Sequence, residues 1–89
     1  MPVISMFYGI IVFMCFMDDE CHHIPHIHVQ YQDYKAVYSL LSGECLAGTL
    51  TPGKTKLIQA WIEIHQDELL ANWQLAVQGK PLFRIKPLK

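Results

Sequence analysis

Imidazole, thiolate and carboxylate crowd into one short stretch of this chain. Four of its five histidines, His22, His23, His26 and His28, fall within residues 22–28. Cys21 stands directly before them, and Asp18, Asp19 and Glu20 come before that. These side chains bind transition metals and move protons near neutral pH. His26 and His28 are candidates to share a divalent, zinc-like cation, with Cys21, His22 or His23 adding a ligand. Asp18 or Asp19 would orient a ligating ring through its second nitrogen. Without a metal, the same two imidazoles can serve as acid and base at a phosphoester. The stretch lacks the paired Cys-x2-Cys or His-x3-His spacing of a structural zinc site, so it names no metal. The plainer alternative is a polar edge in which one histidine bonds to backbone and the others face water.

These residues need elements to position them. His26 to Tyr31 reads as a strand, and alternation then puts His26 and His28 on one face. Asp18 to Pro25 is a loop that Pro25 closes. Before it, Ile10 to Met17 reads as a strand apolar on both faces, central in a sheet or covered by a partner. Gly9 marks a bend or bulge ahead of that strand. Gln32-Asp33 is a hairpin turn without the favoured glycine. Tyr34 to Leu40 is a third strand, Ser42-Gly43-Glu44 a turn and Cys45 to Leu50 a short fourth strand. Thr51 and Pro52 then cap and open a helical segment that runs to about Gln78, where Gly79 and Pro81 stop it. A break near Gln66-Asp67 would divide it in two. The tail from Leu82 to Lys86 alternates and is expected to return as an edge strand. Strands first and helix after predict one α+β domain over residues 1–89, a meander of about four antiparallel strands with one long or two shorter helices packed on one face.

The helical segment carries a second candidate group. Leu57, Ile58, Trp61, Ile62, Leu69, Trp73 and Ala76 form one apolar stripe. His65 lies in its middle, with Glu68 and Asn72 on the same side. A polar group on a buried face must find partners. Either His65 is a satisfied core histidine bonded to Glu68 or to backbone, or His65 and Glu68 meet His26 and His28 across the sheet–helix seam as an acid–base or metal pocket.

Composition narrows the function classes. The chain has 89 residues, 52% of them apolar, and a net charge of −1. So small an apolar domain is expected to bury part of its surface in a subunit or partner interface. The net charge does not favour nonspecific nucleic-acid binding. Even so, Lys80, Arg84, Lys86 and Lys89 make a basic tail, and Tyr31, Tyr34 and Tyr38 are rings on which bases can stack. Cys15, Cys21 and Cys45 show no framework spacing and read as reduced thiols of a cytoplasmic protein. Residues 1–17 are uncharged, but Pro2, Ser5 and Gly9 interrupt them and acids follow, so neither a signal peptide nor a membrane helix is expected. Gly-rich phosphate loops, nucleophile elbows and zinc-protease motifs are absent from the sequence.

The opening Pro2-Val3-Ile4-Ser5 with Phe7-Tyr8-Gly9-Ile10 resembles that of a family of short bacterial proteins described only as a domain of unknown function. Pro25-His26-Ile27-His28 is similar to that family's Pro-His-Phe-His signature. Trp61, His65, Glu68-Leu69-Leu70, Asn72-Trp73 and Ile85-Lys86-Pro87-Leu88 resemble its helical and C-terminal motifs. The chain departs from the pattern at Met6, where a basic residue is usual, in the more apolar strand Val12 to Met17, and in the loop Glu20-Cys21-His22-His23. The resemblance implies pairing with a second short reading frame, as in a toxin–antitoxin module. The first expectation is therefore an interaction component that forms a homodimer or binds a neighbouring gene's product. The alternative is a metal-dependent or histidine-based nuclease or phosphoester hydrolase that uses His26 and His28, with His65 and Glu68 in support.

Overall fold

Residues 2–15 and 24–88 are described by a computed structural model. Five antiparallel strands form one sheet in chain order, and two helices follow. The strands are β1 (Val3–Phe7), β2 (Ile10–Phe13), β3 (His26–Tyr31), β4 (Tyr34–Ser39) and β5 (Cys45–Gly48), and the helices are α1 (Pro52–Ile64) and α2 (Gln66–Val77). The α+β meander is as expected, but with one strand more. Tyr8-Gly9 is a two-residue hairpin turn, not a bend ahead of a first strand. Phe7 pairs with Ile10, and Tyr8 and Gly9 have φ of 49° and 78°. Positive φ at both central residues is what a type I′ turn needs to match strand twist.

β2 leaves the ladder after Phe13, short of the expected Met17; residues 16 and 17 lie outside the described residues. β3 has the expected bounds. Gln32 takes the hairpin position that favours glycine, at φ 54°. β5 stops at Gly48 instead of Leu50. Leu46 is a bulge there, because Val37 pairs with Ala47 and Tyr38 with Cys45. Gly48 lies so close to β4 that a Cβ would sit 2.1 Å from the Lys35 carbonyl oxygen, at a φ of 74° that side chains avoid.

Register sorts the side chains. Val12, Val29 and Ala36 align across β2, β3 and β4, as do Ile27 and Tyr38 across β3 and β4. These residues are buried, together with Ile58, Trp61 and Ile62 of α1 and Leu69, Trp73 and Ala76 of α2. At about 25 cal/mol per Å2 of apolar surface, such burial is the main force holding helices to sheet. Thr51 caps α1 by accepting from the Lys54 N–H at 3.4 Å, and the Tyr38 and Thr55 hydroxyls share a 3.0 Å hydrogen bond. The helical segment divides at His65, so there are two helices.

The tail is a strap and not the expected edge strand. One backbone bond, from the Ile85 N–H to the Ile4 oxygen at 2.8 Å, ties it to β1. Pro81 and Pro87 bracket it and cannot donate to a ladder. Side chains do the holding. Asn72, fully buried, donates to the Phe83 oxygen at 2.8 Å and accepts from the Phe83 N–H at 3.1 Å. The Trp61 indole N–H donates to the Lys86 oxygen at 2.9 Å. Among the described residues, no helix is long and apolar enough to cross a membrane.

Two outcomes follow. Asn72→Ala removes both bonds to Phe83 and is expected to lower stability by about 2 kcal/mol. Denaturant unfolding measures the loss, and proteolysis of the tail should accelerate. Burial chiefly pushes the Tyr38 hydroxyl above its usual value of 10.0; its proximity to Cys45 adds to this, while the bond to Thr55 opposes it. Above pH 10.0 the unfolded chain releases this proton before the folded one does, so Tyr38's share of stability is complete below that pH and falls above it. Stability–pH curves for Tyr38→Phe should lack this alkaline loss.

Candidate functional site

The first candidate group sits on β3. His28 faces Phe13 across the strand pair, and their rings stack with centroids 5.8 Å apart at 8°. His26 lies two residues back on the same face, its ring edge-on to His28 at 5.3 Å. This confirms the shared face that strand alternation implies. The two environments differ. His28 is half-buried, whereas His26 is 0% exposed and packs against the Trp73 ring of α2 at 4.9 Å. His26 Nδ1 lies 2.8 Å from the Ile24 carbonyl oxygen. A carbonyl only accepts, so Nδ1 carries a proton, and Nε2 is the nitrogen with the lone pair when the ring is neutral. Four rings therefore form a line from the outer sheet surface into the core: Phe13, His28, His26 and Trp73.

His65 and Glu68 form the second group. His65 is both the last cap of α1 and the first cap of α2. Glu68 reaches back from the first turn of α2, and its Oε1 lies 2.6 Å from His65 Nδ1. The pair resembles a capping box in which the carboxylate meets the cap residue's ring instead of its backbone. The His65 side chain is 13% exposed and its ring lies 5.6 Å from that of Trp61. The two histidine groups thus rest on different tryptophans, His26 on Trp73 and His65 on Trp61. Among the described residues, no three His, Cys, Asp or Glu side chains converge on a point that could hold a metal ion. Asp18, Asp19, Glu20, Cys21, His22 and His23 lie outside the described residues.

A third feature is a surface. On the outer face, one register row crosses every strand: Val3, Phe13, His28, Val37 and Ala47. Four of the five are apolar, and each retains solvent exposure. A concavity of about 330 Å3 opens along the row, walled by Phe13, His28 and Val37 with Gln30 and Lys35 at its edge. Sequence reading did not assemble this row, because cross-strand register is a long-range property. The signal available was β2, apolar on both faces, where a one-sided sheet would alternate.

The family model for a domain of unknown function, DUF4160, matches residues 9–74, and the chain belongs to that family. The match runs from the β1–β2 turn into α2 and includes His26, His28, His65, Glu68 and Asn72. No curated protein and no solved structure matches the chain significantly.

Burial separates the two β3 histidines experimentally. His26→Ala leaves a cavity beside Trp73 and is expected to destabilise the protein by about 3 kcal/mol. His28→Ala, at a half-buried position, should cost about 1 kcal/mol or less. Equilibrium unfolding of both variants checks the order.

Proposed function

We propose that this protein is the interaction component of a two-gene, toxin–antitoxin-like module of bacteria. It assembles as a homo- or hetero-oligomer through the outer face of its sheet. The observation that carries this reading is the Val3–Phe13–His28–Val37–Ala47 row, apolar at four of five positions and solvent-facing on all five strands. A contiguous apolar surface on so small a body is stable in water when another protein covers it. The flanking Met6, at 54% exposure, aligns with Ile11 in the next row and widens the patch. The free, exposed thiol of Cys45 suits a reducing, cytoplasmic setting.

A second reading draws on the edge-to-face contact of His26 and His28: a nuclease or other phosphoester hydrolase, histidine-based or dependent on a zinc-like metal. It is the weaker reading. His26 has no exposed surface to offer a substrate.

Light scattering at micromolar concentration, combined with affinity capture from native cells, tests the first reading. The assembly should exceed the 10.3 kDa of a single chain. Val3→Glu with Ala47→Glu places charge at two solvent-exposed ends of the row. That variant should keep its thermal midpoint while losing its partner. A wild-type chain that stays at 10.3 kDa and captures nothing rejects the reading. Hydrolysis by wild type that His28→Ala abolishes would favour the second.

A further inference from the structure

Among the described residues, Tyr8 and Gln32 alone combine a side chain with positive φ. They occupy the two hairpin tips at the same end of the sheet. β2 and β3 run antiparallel, and a Cβ on Gly9 would lie 3.2 Å from the Tyr31 ring. A left-handed residue costs roughly 1–2 kcal/mol when it bears a side chain, and the first position of a type I′ turn favours Asn, Asp or Gly. Tyr8 does not offset that cost by burial, since it is 52% exposed. Strained residues kept at a surface point to use there. Lys54, from the first turn of α1, brings its ammonium 4.9 Å from the Tyr31 ring centroid and 6.0 Å from that of Tyr8. No acid occupies that helical turn, and Lys56 follows two residues on. Gln32 reaches the Tyr31 hydroxyl at 3.4 Å. Asp33 on the neighbouring tip is the acid nearest in sequence, with Lys35 two residues beyond it.

We propose that this hairpin-tip surface binds single-stranded nucleic acid, with a base stacked on the exposed Tyr8 ring and a phosphate held by the Lys54 ammonium. An aromatic face beside a fixed cation meets both parts of a nucleotide, and every base has a face to stack. The bases must be unpaired, because a duplex hides those faces. The surface is separate from the outer-face row, so it stands or falls independently of the oligomer.

Fluorescence anisotropy with a labelled oligothymidylate of roughly 12 nucleotides tests it at low salt. Wild type should bind saturably, with affinity falling as salt rises. Tyr8→Asn suits the turn better, so it should keep or raise the thermal midpoint while binding weakens about tenfold or more. Tyr8→Trp should retain binding, and Lys54→Gln should reduce the salt slope by about 0.7. Absence of saturable binding by wild type, unchanged affinity in Tyr8→Asn, or equal affinity for duplex DNA would each overturn the proposal.

Discussion

The register of β3 is the constraint on which the rest of the molecule depends. Ile27 and Val29 must face the helices for the core to close, and this turns His28 to the outer face, with His26 beside it at the strand end where Trp73 of α2 covers it. A slip of one residue would exchange two buried aliphatics for two imidazoles. The hairpin at Gln32-Asp33 holds this register against β4, and Phe13 stacked on His28 holds it against β2. The two histidines are therefore paired first by sheet geometry. Their different fates come from the third layer: Trp73 closes over His26, at the first residue of the strand, and leaves His28 half-covered.

The helices and the tail depend on polar groups that interrupt apolar patterns. His65 separates α1 from α2 and is held by Glu68, which lets Trp61 and Trp73 pack from two shorter rods. Asn72 is buried because it supplies a donor and an acceptor to one residue of an otherwise irregular strap. Breaking such a two-point contact exposes more than it removes, since both backbone groups of Phe83 lose their partners together.

Local patterns in the sequence were enough to read β3, the Gln32-Asp33 turn, the two-helix alternative and the stop before Gly79. Each of these rests on neighbours within a few residues. β1 was missed because Tyr8-Gly9 lacks the usual Asn-Gly signal, so Gly9 read as a bend and the residues ahead of it were assigned to no strand. The strap alternates like a strand, and only the distant Asn72 and Trp61 show what holds it. Three polar residues on the helix face were visible as anomalies. That Asn72 serves the tail, while His65 and Glu68 serve each other, depends on packing that periodicity does not encode. The histidine cluster was legible as far as the shared face of His26 and His28. The burial of one and the exposure of the other come from Trp73, 47 positions beyond His26.

Membership of the DUF4160 family covers this same framework from the first hairpin turn into α2. Within it the outer sheet face carries an apolar row that intramolecular packing leaves uncovered, and the proposed interaction rests there. Hydroxyl-radical footprinting of the assembly purified under native conditions tests that claim most directly, with the dissociated chain as reference. Leu41 and Ile64, at 57% and 63% exposure and outside the sheet, serve as internal controls. The account predicts that Met6, Phe13 and His28 lose labelling in the assembly while Leu41 and Ile64 keep theirs. Protection of Leu41 and Ile64, with the outer-face residues labelled as in the free chain, would contradict it.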